Sequence, residues 1–145
     1  MRVPTCLLLC LLLLPAACTT TSDQPPLRLD SVSFVNTGPK TLRHVNLGFG
    51  REQPAASLEA LPPYRELEVP IAIPDYRSRH VRLSFEVDGR AVNLPGWPSP
   101  APASLDRTKP YNLRIRISPD GMIQQDLERV EVLRARLHAA AHPTE

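Results

Sequence analysis

The sequence predicts a mainly β fold, namely an immunoglobulin-like or transthyretin-like antiparallel β-sandwich with a C-terminal helix. Apolar and polar residues alternate through several short segments of the 145-residue chain, a pattern typical of strands that bury one face. Turn-forming residues, among them Asp88-Gly89, separate these segments. After Gln125 the apolar spacing changes to three and four, which indicates a helix.

Six segments carry the strand alternation, and the pattern leaves a short seventh open. They are Leu27–Val35, Thr41–Phe49, Arg65–Ile73, Val81–Val87, Ala91–Leu94 and Asn112–Ile117, with the seventh at Met122–Gln124. The residues Asn36–Pro39 favour a turn between the first two strands. Pro70 has no N–H to donate to a strand ladder, so its strand is expected at a sheet edge or with a bulge.

Two hairpins are predicted with a definite register. The Asp-Gly pair closes a two-residue turn, which places Phe85 opposite Val92. The residues Ser118–Gly121 form a second turn signal, and they predict that Ile117 pairs with Met122. The strands and hairpins together predict one β-sandwich domain over residues 27–125.

Residues 126–142 are predicted to form a helix that packs on the sandwich or covers an open edge. The apolar residues at helical spacing are Leu127, Val130, Leu133, Leu137 and Ala141. Asp126 is placed to cap the helix start, and basic residues towards the end suit the helix dipole. A rival interpretation extends the last strand through Val132 instead.

The segment 95–103 contains four prolines and one tryptophan, Trp97. So many prolines predict an extended surface loop rather than a paired strand. Trp97 could then serve as a partner-binding anchor. The competing interpretation is that Trp97 folds back and closes one end of the core.

The N-terminus has the features of a secretory signal in residues 1–17. Arg2 gives it a positive charge, and the apolar run Leu7–Ala17 would span only about 16 Å as a helix, too short to cross a membrane. The stretch Leu14–Cys18 (LPAAC) resembles the bacterial lipobox. This resemblance implies cleavage before Cys18 and a lipid, diacylglycerol with palmitate-type acyl chains, on its thiol. The alternative is ordinary cleavage nearby, with Cys18 incidental.

Cysteine usage and the following residues extend this interpretation. All three cysteines lie within the first 18 residues, so no disulfide can form inside the domain. With Thr19 directly after the anchor, the chain resembles the lipoproteins that reach the outer membrane. This resemblance implies that the domain lies in the periplasm. Residues 18–26 are small, polar and then proline-rich, so they are expected to form a lipidated tether of at most about 27 Å.

Charge and motifs exclude several classes of function. Removal of Arg2 with the signal leaves 16 of 17 basic residues against 15 acidic ones, and so near-neutral a chain is not expected to bind nucleic acid. Motifs for hydrolases, zinc proteases and phosphate loops do not occur, and Glu66 and Glu68 have the spacing of one solvated strand face. His138 and His142 share a helix face, but two ligands do not make a metal site. No enzyme activity, metal or cofactor is predicted.

Three classes of function remain. The first is a non-enzymatic protein-binding or envelope-assembly accessory module, which in architecture resembles the small sandwich lipoprotein of type VI secretion systems. The second is a periplasmic immunity or inhibitor lipoprotein that blocks an enzyme with an exposed loop such as residues 95–103. The third, an enzyme or metal carrier, has no motif in its support.

Overall fold

The computed structural model describes residues 25–49, 54–76, 80–98 and 104–141, and within them it contains eight strands and one helix. The strands are β1 (Leu27–Asn36), β2 (Leu42–Phe49), β3 (Ala56–Leu61), β4 (Glu66–Tyr76), β5 (His80–Val87), β6 (Arg90–Pro98), β7 (Pro110–Ile117) and β8 (Ile123–Arg129), and the helix is α1 (Val130–Ala141).

The strands form two four-stranded sheets, and the predicted β-sandwich is confirmed. The first sheet has the order β4-β1-β7-β8, and the second has the order β3-β2-β5-β6. All neighbours are antiparallel except β1 and β7, which run parallel. An immunoglobulin sandwich places its first, second, fifth and fourth strands in one sheet, and this order is not observed. Of the two predicted types, the transthyretin-like one remains.

The core lies between the sheets and is filled by the inward phase of each strand. In β1 the apolar residues Leu27 and Leu29 are out of phase with Val32 and Phe34, yet all four are fully buried. A register shift in the pairing between Leu29 and Ser31 explains this, because a bulge adds one residue and restores the inward phase.

The sandwich has two ends, which are defined here by the direction of β1. The near end is where β1 begins at Leu27 and where β2, β4 and β6 end. The far end is the opposite one, where four connections lie: residues 37–41, 62–65, 88–89 and 118–122. Two backbone hydrogen bonds tie these connections together, from Asn36 N to Arg65 O (2.9 Å) and from Thr37 N to Ile117 O (3.0 Å).

Two predictions about pairing are confirmed. Phe85 lies opposite Val92 across the hairpin of β5 and β6. The strand that contains Pro70 is the outer strand β4, and its pairing with β1 has two register irregularities. An outer position leaves the missing N–H of Pro70 without a ladder partner to satisfy.

Two details of the predicted strands are wrong. Ile117 pairs with Ile123 rather than with Met122, because Ser118 N donates to Met122 O (3.0 Å) and the turn takes five residues. The strand β3 (Ala56–Leu61) was not predicted. Its alanines, leucines and glutamate favour a helix, and only pairing with β2 makes the segment a strand.

The predicted loop 95–103 is also wrong at its start, because β6 continues through Pro98. Trp97 lies opposite Val81, and Pro98 lies opposite His80. A register shift between Val81 and Leu83 and the outer position of β6 make this pairing compatible with prolines.

The C-terminal helix is present, but it starts at Val130 rather than at residue 126. Asp126 lies in β8, opposite Arg114 of β7, and therefore does not cap the helix. The pairing of β7 with β8 continues to Arg129 and so delays the helix. The rival extension of the strand through Val132 is wrong as well, since Val132 is helical and exposed.

Candidate functional site

The residues singled out in the sequence fall at different places. Cys18 lies outside the described residues. The backbone of Trp97 is near the end of β6, at the near end of the sandwich, and its side chain is not among those described. Both interpretations of Trp97, anchor and core plug, therefore remain predictions.

The histidines do not converge in the described part of the chain. His138 is exposed on α1, and His142 lies outside the described residues. His44 is exposed on β2 with a positive φ of 49°. Among the described residues, no three His, Cys, Asp or Glu side chains are grouped as metal ligands. Within the same residues, no helix has the length and hydropathy needed to cross a membrane.

A cleft with a volume of about 750 Å³ opens at the far end of the sandwich, and we call it the far-end cleft. Its apolar floor comes from the ends of β2, β5 and β6. Its walls are the turns that follow β1, β5 and β7. The residues that line the cleft include Asn36, Gly38, Lys40, Leu42, Phe85, Val87, Asp88, Arg90, Val92, Pro119, Asp120 and Gly121.

The buried amide of Asn36 fixes the base of this cleft. Its Nδ2 donates to the carbonyl oxygens of Lys40 (2.7 Å), Pro62 (3.1 Å) and Leu61 (3.2 Å). Its Oδ1 accepts the backbone N–H of Gly38 (2.9 Å). One side chain thus joins the β1–β2 turn to the end of β3, and so links the two sheets.

Two glycines shape the turns at this end of the sandwich. A Cβ on Gly38 would lie 3.2 Å from Pro119 Cγ, so this glycine lets the β1–β2 turn pack against the β7–β8 turn. Gly121 has a φ of 81°, which disfavours residues with a Cβ. Asp120 completes the second turn, since its Oδ1 accepts the N–H of Met122 (3.2 Å).

The rim of the far-end cleft carries balanced charge. Lys40 and Arg90 are basic, and Asp88 and Asp120 are acidic. The Lys40 ammonium forms an ion pair with the Asp88 carboxylate and thereby bridges the β1–β2 and β5–β6 turns. No histidine or cysteine is among the described residues that line the cleft. An apolar floor surrounded by a charged rim is typical of recognition surfaces in proteins.

A second charged group lies under helix α1, on the outer face of the first sheet, and we call it the Glu66 cluster. Glu66 accepts hydrogen bonds from both Arg114 (2.9 Å) and Arg136 (2.5 Å), and Arg136 also donates to Glu128 (2.7 Å). The Glu66 side chain is only 13% exposed, so its predicted place on a solvated strand face is wrong. The helix covers that face at Glu66, whereas Glu68 on the same face is exposed.

The electrostatics of the Glu66 cluster indicate a structural role. Burial raises the pKa of Glu66, but the hydrogen bonds from Arg136 and Arg114 outweigh burial and hold that pKa below its ordinary value. A carboxylate kept ionised between two guanidinium groups is a poor proton donor or base near neutral pH. The cluster instead fastens α1 to the sheet.

The far-end cleft was missed in the sequence, although each of its turns was predicted. The signals at residues 36–39, 88–89 and 118–121 are local, and a cleft arises only when the topology brings them together. Its assignment has to rest on this geometry. Compared with known protein families, with curated proteins and with solved structures, the chain matches none.

Proposed function

We propose that this protein is a lipoprotein anchored to the bacterial outer membrane through lipidated Cys18, with its domain in the periplasm. It acts there as a non-enzymatic protein-binding or envelope-assembly accessory module. The far-end cleft contacts the envelope protein that is its partner.

The polarity of the sandwich is the observation that carries this proposal. The chain comes into the fold at the near end, and the far-end cleft lies at the opposite end of β1. Ten strand residues in β1 correspond to about 33 Å. A tether of at most about 27 Å would keep the near end beside the membrane and present the cleft to the periplasm.

The lining of the cleft supports a protein partner. Phe85 and Leu42 are largely buried at its floor, while Val87 and Val92 are partly exposed and can contact an apolar side chain. A charged rim around an apolar centre is the usual arrangement of specific, non-obligate interfaces. Balanced rim charge favours a partner of mixed charge over a strongly acidic or basic one.

The immunity or inhibitor alternative has weaker support. It needs an exposed loop at residues 95–103, and β6 takes residues 95–98 into a sheet at the near end. An inhibitory loop there would point towards the membrane side of the domain. We therefore prefer the accessory module, with the far-end cleft in place of Trp97 as the contact surface.

The anchor is tested by labelling cells with radioactive palmitate and comparing the wild type with Cys18→Ser. We expect the wild type to incorporate label and to partition into detergent, since acyl chains supply about 0.8 kcal/mol per buried methylene. Cys18→Ser should lose both properties. Cys10→Ser, which leaves with the signal, is the matched control. Unlabelled wild type, or membrane extraction unchanged in Cys18→Ser, would remove the anchor from the proposal.

The partner surface is tested by photo-crosslinking in cells. A photoreactive amino acid at Arg90, on the cleft rim, should yield a discrete adduct with an envelope protein. The same amino acid at Glu59, an exposed charged position on β3 outside the cleft lining, is the control. Equal adducts from both positions, or adducts from Glu59 alone, would show that the partner does not use the cleft.

A further inference from the structure

Basic side chains surround the point where the chain comes into the sandwich, and we call them the near-end basic cluster. Its members are Arg28, Arg107, Lys109, Arg129 and Arg134. Four of them, all except Arg107, line a cavity of about 360 Å³ formed by the start of β1, the start of β7, the end of β8 and the first turns of α1.

The cluster has an excess of positive charge. In the described ranges the acidic residues beside it are Asp30, Asp106 and Glu131, so five cations against three anions leave +2. The mature chain as a whole has only +1, from 16 basic and 15 acidic residues. Among the described residues, this cluster is therefore more basic than the chain average.

Two of the cations stay outside the close ion pairs of the described residues. Arg28 pairs with Asp30 (2.7 Å), and Arg129 pairs with Glu131 (3.4 Å). Lys109 and Arg134 are exposed and belong to no such pair in the parts of the chain that the structure describes. Each lies near a carboxylate, Arg134 near Asp30 and Lys109 near Asp106, and presents its exposed donors towards solvent.

The start of the described chain is held against this cluster. The Arg107 Nη1 donates to the carbonyl oxygen of Pro25 (2.8 Å), and Arg28 follows three residues later. Pro25 follows Cys18 by only seven positions. If Cys18 carries the lipid, as in the proposed function on which this inference rests, the cluster lies within about 25 Å of the headgroups.

We propose that the near-end basic cluster binds anionic phospholipid headgroups of the membrane that holds the anchor. The phosphodiester groups would accept hydrogen bonds from guanidinium and ammonium donors. The lipid alone would attach the domain at one point, and this second contact would also fix the orientation of the domain on the membrane. It holds the near end on the bilayer and directs the far-end cleft away from it.

The test uses the chain from residue 18 onwards with Cys18→Ser, which retains every described strand and the helix and has no lipid. It is sedimented with vesicles of phosphatidylglycerol and with vesicles of phosphatidylcholine, at 0.01 M and 0.15 M salt. We expect binding to phosphatidylglycerol alone. Binding should weaken at the higher salt, where the screening length falls from about 30 Å to about 8 Å.

The decisive variant in the same background is Lys109→Gln with Arg134→Gln. Loss of about fivefold for each cation predicts partitioning weakened about 25-fold. The matched control is Arg43→Gln with Arg65→Gln, which removes the same charge from exposed positions towards the far end and should bind like the parent. A circular dichroism melt shows that all three chains fold.

Equal losses in the two double variants would overturn the proposal, because binding would then follow net charge rather than the near end. Equal binding to both vesicle types would overturn it too. Since this chain has no lipid, failure here leaves the palmitate result at Cys18 untouched, and loss of the palmitate label leaves the vesicle result interpretable.

Discussion

The side chain of Asn36 is 2% exposed, so its amide must find its hydrogen-bond partners inside the protein. It finds them in three carbonyls and one backbone N–H, all of which belong to the connections at the far end. Removing a buried partner leaves each of these groups without its hydrogen bond. The far-end cleft therefore depends on one residue that is almost fully buried.

Asn36→Ala should lower the free energy of unfolding by about 2 to 4 kcal/mol, because the carbonyls of Leu61 and Lys40 lose their donor. Asn36→Asp should cost more, since a carboxylate would face those carbonyls with no donor. Asn93→Ala, an exposed asparagine on β6, is the control and should change stability by less than about 0.5 kcal/mol. Urea denaturation measures all three, and a mild Asn36→Asp would contradict this account.

Phe85 and Arg82 test the phase of β5. Phe85 is 5% exposed and packs in the core cluster, while Arg82 is exposed on the outer face of the same strand. Phe85→Ala should cost about 3 to 5 kcal/mol, the range for emptying a buried aromatic site. Arg82→Ala should cost less than about 1 kcal/mol. Similar melting shifts for the two variants would show that the phase is wrong.

At the scale of elements, helix α1 is attached to the first sheet by a small apolar contact and by the Glu66 cluster. Val130 and Leu133 are its buried residues, and Leu133 is fully covered. Arg136 lies one turn further on and reaches both Glu66 and Glu128. With so little apolar area, the ionic contacts make up a large part of the attachment.

Glu66→Gln should destabilise the protein by about 1.5 to 3 kcal/mol at neutral pH, the range for hydrogen bonds to charged groups. Since folding lowers the pKa of Glu66, its contribution is fully present above the ordinary glutamate range and is lost as the pH falls through the lowered pKa. The difference between wild type and Glu66→Gln should therefore be largest near neutral pH and shrink in acid. Denaturant unfolding at several pH values measures it.

Glu68→Gln is the matched control for this prediction, since Glu68 is exposed two residues along the same strand. It should change stability by less than about 0.5 kcal/mol at neutral pH. A difference between wild type and Glu66→Gln that grows in acid would show that the carboxylate is not ionised in the folded protein.

The elements that could be predicted are those whose signal is local. The alternation in β5 and in β7 specifies each of these strands without help from the rest of the chain. The Asp-Gly turn likewise specifies the register of β5 with β6. The segments β3 and Pro95–Pro98 could not be predicted, because pairing with β2 and β5 overrides their residue preferences. The start of α1 was misplaced for the same reason: β7 holds Asp126 in a strand.

At the scale of the whole molecule, both proposed surfaces come from topology rather than from motifs. The far-end cleft joins residues from 36 to 121, and the near-end basic cluster joins residues from 28 to 134. The far-end cleft could not be predicted from its short turns taken one at a time. The near-end basic cluster could not be predicted from a total charge that is close to neutral. Among the positions that these proposals use, only Cys18 rests on a contiguous sequence signal.

The parallel pairing of β1 with β7 has a consequence for how the chain acquires its structure. Thr37 must meet Ile117, about 80 residues later, before the middle of the first sheet exists. Closing so long a loop costs entropy before any pairing repays it, and such non-local contacts slow folding. In the export that we propose, β1 would cross the membrane before β7, which is its neighbour in the sheet. A chain exported in this way would stay unfolded during export and complete its core only after the last strands have crossed.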